Sequence, residues 1–218
     1  MGRVIAISEA LGSGAPEIAR IVSDRLGIPV VDREVFLWAA TEAGVSPATI
    51  EEAEQARSLL GTMVELMGSY LDADAYVESG AGMANLSMMS SGMYRELIQG
   101  VIESIADTSE AVILGHGSHV ILKDYPNVLR VYLSSPRPIR AGRVGKSMNL
   151  EGAAAEKFVR ENDVARRNYF EEHLKVRRNE AQNYDLCLRT EKLSFEVCAD
   201  LICASLAAAI PESEPATA

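Results

Sequence analysis

The sequence has few cysteines, few aromatic residues and no long apolar stretch. Its 218 residues include three cysteines, an odd number without the spacing of a metal site. We therefore expect reduced thiols in a cytoplasmic protein, rather than a disulfide framework or a zinc site. No stretch approaches the roughly 20 apolar residues that a membrane span requires. The chain enters a strand pattern almost at once, so we also expect no signal peptide.

Positive charge is scarce as well. Lysine and arginine together number 21 against 31 aspartates and glutamates, which gives a formal net charge of −10. This balance argues against a nucleic-acid polymer as partner, because such a polymer is bound by an extended basic surface. Most of the cations nevertheless fall between Arg130 and Arg189. A basic cluster in an acidic protein is typical of binding to a small, highly charged anion.

Short apolar runs alternate with amphipathic stretches along most of the chain. Runs near residues 4–7, 27–31, 110–114, 127–133 and 185–189 predict buried strands, with helices between them. This alternation predicts an α/β protein with a parallel sheet flanked by helices. We expect a single domain over residues 1–210 and a disordered, proline-bearing tail over residues 211–218.

Two long helical stretches interrupt this alternation. Residues 44–107 show only helical patterning and are rich in methionine. These methionines can be adaptable core filling, or they can belong to an insertion that encloses a substrate or a second copy of the chain. Residues 150–181 are strongly charged, and their pattern predicts helix in two pieces.

A glycine-rich loop at residues 9–16 separates the first predicted strand from the first predicted helix. Such a loop aims backbone N–H groups and the positive end of a helix at an anion. The usual phosphate loop adds a lysine and a hydroxyl residue after its last glycine, whereas Ala15 and Pro16 follow here. A ligand-free glycine turn is the alternative. The predicted phosphate-binding residues are Gly12, Ser13, Gly14, Ala15 and Glu17.

Arginines later in the chain can supply the charge of the missing lysine. Arg140 and Arg143 share a helix face at i, i+3 spacing, and Arg166 lies on the next helical stretch between Asp163 and Arg167. Arginine forks match phosphate oxygens in a bidentate way. We therefore predict Arg140, Arg143, Arg166 and Asp163 as catalytic residues and Arg167 as a nucleotide-binding residue. The alternative is a solvated helix surface with a local ion pair between Asp163 and Arg166.

Three more candidate binding residues follow predicted strands. Asp32 and Arg33 follow the second strand, and His116 follows the third within Gly-His-Gly. Doubly wound sheets bind ligands at the carboxyl ends of their strands. Asp32 can therefore orient Mg²⁺-bound water or a substrate hydroxyl, Arg33 can bind an acceptor phosphate, and His116 can donate to a phosphate or a base. Helix capping explains Asp32 equally well, and a backbone-bonded turn explains His116.

Two further expectations concern residues near these candidates. Glu9 is a further acidic candidate beside the loop. The remaining cations of the charged stretch are expected at the surface, namely Arg160, Lys175, Arg177 and Arg178. The sequence does not predict a set of protein metal ligands.

Four stretches together resemble the cytidylate kinase-like family, a branch of the P-loop nucleoside monophosphate kinases. They lie at residues 7–34, 112–128, 163–169 and 184–194, and they include Gly-Ser-Gly at 12–14 and Gly-His-Gly at 115–117. The resemblance implies a three-layer P-loop kinase-like fold. It also implies a helical insertion for the monophosphate at residues 44–107 and a helical lid at residues 150–181. The implied activity transfers the γ-phosphoryl group of ATP, with Mg²⁺, to a nucleoside monophosphate such as CMP.

The chain departs from the family pattern at phosphate-facing positions. Members of this branch often lack the loop lysine, but they commonly carry glycine and then a polar or basic residue where Ala15 and Pro16 stand, and arginine where His116 stands. Three hypotheses follow: a nucleoside monophosphate kinase, a nucleotide-binding regulatory pseudo-kinase, and a helical interaction module that forms a homodimer through the methionine-rich insertion.

Overall fold

Five parallel strands form one sheet in the computed structural model, which describes residues 2–32 and 91–210. The strands are β1 Val4–Glu9, β2 Val30–Val31, β3 Ala111–Leu114, β4 Val128–Ser134 and β5 Leu186–Arg189. Their order is β2-β3-β1-β4-β5, and every pairing is parallel. The central position of β1 explains its continuous apolar run, because both faces of that strand are covered. The predicted parallel α/β sheet is confirmed.

Helices cover both faces of the sheet. They are α1 Ala15–Leu26, α2 Ser91–Thr108, α3 Ser118–Ile121, α4 Arg137–Met148, α5 Gly152–Tyr169 and α6 Phe195–Ala209. Ile5 and Ile7 of β1 pack against residues of α1 and α6, whereas Val4 and Ala6 pack against residues of α2 and α3. Successive strand residues point to opposite faces, so β1 contributes to both cores. The three-layer arrangement is therefore confirmed.

The remaining helices extend beyond the carboxyl end of β4. α4 and α5 pack against each other through a small cluster that contains Ala141, Val144 and Phe158. α5 continues into a π-helical turn at Phe170–Leu174, and a 3-10 turn follows at Ala181–Asn183. The charged stretch therefore folds in more than one helical piece, as its pattern predicts.

Glycines mark both ends of α1. Gly14 precedes the helix with a φ of 87°, and Gly27 ends it with a φ of 68°. These left-handed conformations are accessible to glycine at little cost. Pro16 is the second residue of α1. Its missing N–H is still one of the four that have no acceptor within the helix.

Some predictions fall outside the described residues. They concern Arg33, the tail at residues 211–218 and the methionine-rich stretch, of which α2 is the described end. In residues 2–32 and 91–210, no helix has both the length and the apolar character needed to cross a membrane.

Candidate functional site

The glycine-rich loop lies at the carboxyl end of the sheet, between β1 and α1. The chain after β1 turns towards β2, and the chain after β3 crosses to β4, so β1 and β3 flank the point where the strand order reverses. This crevice is where doubly wound sheets bind ligands. Helices pack closely behind the loop: a Cβ on Gly12 would lie 2.7 Å from the Arg140 carbonyl oxygen, and one on Gly14 would collide with the Phe195 ring.

The loop carbonyls all accept hydrogen bonds. The N–H of Ser13 donates to the Ala10 carbonyl (2.9 Å), and the N–H of Ile18 donates to the Gly14 carbonyl (3.1 Å). The carbonyls of the four other residues from 9 to 13 accept from arginine side chains. Four arginines therefore determine which way the loop carbonyls face.

Arg140 connects the loop to two neighbouring segments. Its Nη1 donates to the Leu11 carbonyl (3.0 Å), and its Nε donates to the Ser135 carbonyl (2.9 Å). The same guanidinium binds both carboxylate oxygens of Asp163 on α5, at 3.0 and 2.8 Å. Arg140 is only 6% exposed. Arg140 and Asp163, both predicted as catalytic residues, therefore position the loop against α4 and α5. A direct role of either residue in catalysis stays a prediction.

Arg143 holds the next two carbonyls. Its Nη1 donates to Gly12 (3.3 Å) and Ser13 (3.1 Å), and its guanidinium lies 5.1 Å from the centre of the Phe195 ring. Thr190, directly after β5, accepts from Arg143 at its hydroxyl (2.8 Å) and its carbonyl (2.7 Å). The Thr190 hydroxyl itself donates to the Ser13 carbonyl (2.6 Å). Thr190 is a site residue that the sequence analysis missed.

In contrast to the loop carbonyls, which all accept hydrogen bonds, several loop N–H groups are unused as donors among the described residues. The N–H groups of Gly12, Gly14, Ala15 and Glu17 donate to no acceptor within the part of the chain that the structure describes. The first turn of a helix supplies such donors together with the positive end of the helix dipole. With its carbonyls bound by arginines and these donors unused, the loop has the polarity of an anion-binding site.

Arg166 and Arg178 meet at the last residue of β1. Nη1 of Arg166 donates to the Glu9 carbonyl at 3.0 Å, and Nη1 of Arg178 donates to the same oxygen at 2.5 Å. Nη2 of Arg166 lies 3.9 Å from the Glu9 carboxylate. The Ser13 hydroxyl lies 3.5 Å from that carboxylate on the loop side. Arg166 and Glu9 were predicted candidates, and the structure brings them together.

Arg178 contradicts the expectation of a surface position, because it is only 7% exposed. Its guanidinium lies 5.9 Å from the centre of the Tyr132 ring and 5.8 Å from that of Phe170. Burial, and then the positive charge of Arg166, lower the pKa of Arg178. In the sequence Arg178 stands beside exposed Arg177 in a charged stretch, and nothing local distinguishes the two.

A buried stack of rings supports Arg178. His119 lies between Phe170 and Tyr184, with ring centres 5.4 and 4.7 Å apart, and Tyr184 also stacks on Tyr132 at 5.0 Å. The Tyr184 hydroxyl donates to the Arg178 carbonyl (2.8 Å). Burial raises the pKa of Tyr184 to about 12. The stack therefore holds the segment after α5 against the carboxyl ends of β1 and β4.

The other predicted residues lie around this edge of the sheet. Asp32 directly follows β2, and His116 follows β3 with a φ of 50° between two glycines. Glu17 lies in the exposed first turn of α1, and Arg167 is exposed on α5. The described residues contain no group of three or more histidine, cysteine, aspartate or glutamate side chains able to hold a metal ion.

Comparisons with known proteins agree with this geometry. The sequence pattern of the cytidylate kinase-like family matches residues 4–192. An uncharacterized protein from Eubacterium ventriosum ATCC 27560 has a similar structure, with a TM-score of 0.64 at 17% identity over 94% of this chain and 98% of its own. Shikimate kinase from Acinetobacter baumannii, in complex with shikimate, gives 0.51 at 14% identity over 97% of each chain. No curated protein matches the sequence. At these identities the structural likeness shows a P-loop kinase fold.

Proposed function

The chain belongs to the cytidylate kinase-like family, and on that basis we propose that it transfers the γ-phosphoryl group of ATP to a nucleoside monophosphate such as CMP. Family membership and the P-loop kinase fold support a nucleotide kinase in general. The choice of CMP as acceptor rests on the family resemblance alone. Cytoplasmic location and homodimer formation through the methionine-rich stretch stay predictions.

The polarity of the loop is the observation that carries this proposal. The N–H groups of Gly12, Gly14, Ala15 and Glu17 have no acceptor among the described residues, while arginines and Thr190 bind the carbonyls on the other side. Catalysis of phosphoryl transfer consists mainly of positioning the reactants and neutralising charge on the phosphoryl group. A rigid row of N–H donors provides the positioning, and Arg166 at the end of β1 provides positive charge.

The residues present fit a nucleotide phosphate chain and a Mg²⁺ ion that it carries. The unused loop donors and the left-handed glycines accommodate phosphate oxygens. Mg²⁺ is commonly held by one or two carboxylates together with substrate phosphates. Glu9 ends β1 and Asp32 directly follows β2, and these two strands lie on either side of β3 at this sheet edge. When bound, Mg²⁺ neutralises phosphate charge. Pro16 provides no hydroxyl ligand, so Asp32 or Glu9 would be the protein ligand.

The missing lysine has a structural consequence. Arg140 and Arg143 reach the loop from α4, yet their guanidinium groups bind its carbonyls. We therefore assign them first to holding the loop in shape, with their positive charge adding to the field at the site. Arg166 is half-buried and bonds the Glu9 carbonyl, but its carboxylate contact is long at 3.9 Å, so its guanidinium retains donors for a phosphate.

A panel of nucleoside monophosphates tests the proposal. Each is mixed with ATP and Mg²⁺ and the full chain, and both ADP production and the shift in melting temperature are measured. Arg166→Ala should lower ADP production by about 100-fold or more, because it removes a charge that stabilises the transition state. Arg160→Ala is the control, since Arg160 is exposed on the same helix and should leave the rate unchanged.

The two measurements separate the hypotheses. ADP production that depends on one monophosphate identifies the acceptor and supports the kinase. Stabilisation by nucleotide without ADP production would contradict the kinase and support the pseudo-kinase, for which the departures at Ala15 and Pro16 are the specific observation. Absence of both signals would leave the interaction module as the hypothesis to pursue.

A further inference from the structure

The side chain of Tyr184 lies at the junction of three segments behind the loop. Its hydroxyl donates to the Arg178 carbonyl (2.8 Å), in the stretch between the π-helical and 3-10 turns. Nε2 of His119, on α3, lies 3.1 Å from the same oxygen. A hydrogen bond from the Ser8 hydroxyl, on β1, opposes the rise that burial causes in the pKa of Tyr184. One phenolic oxygen therefore connects β1, α3 and the segment after α5.

Tyr184, Arg178 and Ser8 form a closed circuit of contacts with Glu9. The Arg178 guanidinium donates to the Glu9 carbonyl at 2.5 Å, and the Arg178 carbonyl accepts from Tyr184. Ser8, the residue before Glu9, completes the circuit through its hydrogen bond to Tyr184. A closed circuit restrains each member from two sides. Turning the Glu9 peptide therefore breaks a hydrogen bond in the circuit, which is costly where water cannot replace it.

The Tyr184 hydroxyl is not needed for packing. The ring of Tyr184 stacks between those of His119 and Tyr132, with centres 4.7 and 5.0 Å away. A phenylalanine would make the same stack without the cost of burying a hydroxyl. Here the hydroxyl donates its proton to Arg178 and accepts hydrogen bonds from His119 and Ser8. Its use is therefore to hold these neighbours in place.

Glu9 is the point at which the circuit reaches the loop. This residue ends β1, and its carboxylate lies 3.5 Å from the Ser13 hydroxyl. The next residue, Ala10, donates to the Leu133 carbonyl (3.0 Å) and accepts from the N–H of Ser13 (2.9 Å). The orientation of the Glu9 peptide thus sets the direction in which the loop leaves the sheet, and the direction in which the carboxylate faces.

We propose that Tyr184 is a positioning residue of the kinase site, whose hydroxyl holds Glu9 and the start of the loop in place. The proposal rests on the proposed function, in which Glu9 is a candidate ligand of the Mg²⁺ that a nucleotide carries. Tyr184 acts through Ser8 and Arg178 and is itself only 7% exposed. A misplacement of about 1 Å at a reacting group can lower a rate by about 100-fold. Loss of this hydroxyl should therefore affect turnover.

The kinetics of Tyr184→Phe test the proposal, with ADP production measured over a range of ATP concentrations. The variant keeps the stacked ring and loses the hydroxyl, so kcat should fall by about tenfold. KM for ATP should change by less than about twofold, because the loop N–H donors remain. Tyr132→Phe is the matched control. It makes the same change in the neighbouring ring, whose hydroxyl bonds exposed Asn179 (3.1 Å) outside the circuit, and should keep the wild-type kcat.

A second control separates positioning from stability. Tyr184→Phe leaves the buried Arg178 carbonyl without its donor, so it should melt about 2–4 °C below the wild type. Ile102→Val shortens a fully buried side chain in the core beneath α2. It should lower the melting temperature by a similar amount and keep the wild-type kcat. An equal fall of kcat in both variants would overturn the proposal and leave Tyr184 with a purely structural role.

Ser8→Ala covers the case in which Tyr184→Phe does not fold. This change opens the same circuit at β1, so it should also lower kcat. Because either change opens the circuit, the double variant should lose no more activity than Tyr184→Phe alone. An unchanged kcat in a folded variant of either residue, or losses that multiply in the double variant, would overturn the proposal.

Hydrogen exchange without nucleotide, followed by mass spectrometry, separates this inference from the proposed function. In Tyr184→Phe the amides of residues 8–13 should exchange faster than in the wild type, and those of α2 should not. Faster exchange there, in a chain that makes no ADP, would reject the kinase and retain the anchoring of the loop by Tyr184. ADP production with wild-type kcat and exchange in the variant would retain the kinase and reject the anchoring. Absence of both effects would reject both.

Discussion

Acidification should destabilise the folded chain through His119. Its side chain is 2% exposed and is stacked between two aromatic rings. The Tyr184 hydroxyl uses its proton on the Arg178 carbonyl, so Nε2 of His119, 3.1 Å away, donates to the Tyr184 oxygen. Burial, reinforced by the positive charges of Arg178 and Arg130, lowers the pKa of His119 to about 3. The folded protein therefore keeps this imidazole neutral.

The size of the effect follows from the two pKa values. In the unfolded chain His119 takes up a proton near pH 6.5, whereas in the folded chain it does so only near pH 3. The unfolded state binds more protons between these values, so stability is full above pH 6.5 and falls as the pH drops below it. The slope is about 1.4 kcal/mol per pH unit, which gives a loss of roughly 2 kcal/mol between about pH 7.5 and about pH 5.

Urea denaturation at these two pH values measures the loss. His119→Gln removes the titrating ring and keeps an N–H donor for Tyr184, so its stability should fall with pH by about 2 kcal/mol less than that of the wild type. His173→Gln is the control, because His173 is exposed on the π-helical turn, and it should behave like the wild type. An equal loss in wild type and His119→Gln would refute the reasoning, since it would mean that protonation of His119 does not favour unfolding.

Two further predictions concern the loop. Gly14→Ala should lower the free energy of unfolding by about 2–4 kcal/mol through its positive φ and its collision with Phe195, whereas Gly27→Ala, with the same backbone strain but open space, should cost about 1 kcal/mol; chemical denaturation measures both. Thr190→Val should lower the ATP-induced rise in melting temperature by more degrees than it lowers the melting temperature of the ligand-free chain, because the bond from Thr190 to the Ser13 carbonyl shapes the loop. Equal losses in these two temperatures would contradict this.

The elements of the fold were predictable because their signals are local. The run at residues 4–7 is apolar at successive positions, as a strand covered on both faces must be, and it became the centre of the sheet. Gly27 predicted the end of α1 because only glycine takes up the left-handed conformation at little cost. The order of the strands in the sheet was not predicted from the sequence, since it depends on which apolar faces meet after folding.

The site was predictable only in part. The i, i+3 spacing of Arg140 and Arg143 correctly indicated a shared helix face, and both reach the loop. Spacing carries no information about the target, however, and both guanidinium groups bind loop carbonyls. Arg178 was misplaced at the surface because its burial depends on rings from two separate segments, those of Tyr132 and Phe170.

The sequence by itself determined the strand and helix content, the position of the glycine loop and the resemblance to a kinase family, because periodicity and turn residues act over a few neighbouring positions. Tertiary structure alone decided which polar groups of the loop are occupied and which are unused. It also decided that Glu9 stands between two arginines that are 157 and 169 residues away along the chain. Charge compensation and burial are properties of residues that meet in space, so no local pattern could reveal them.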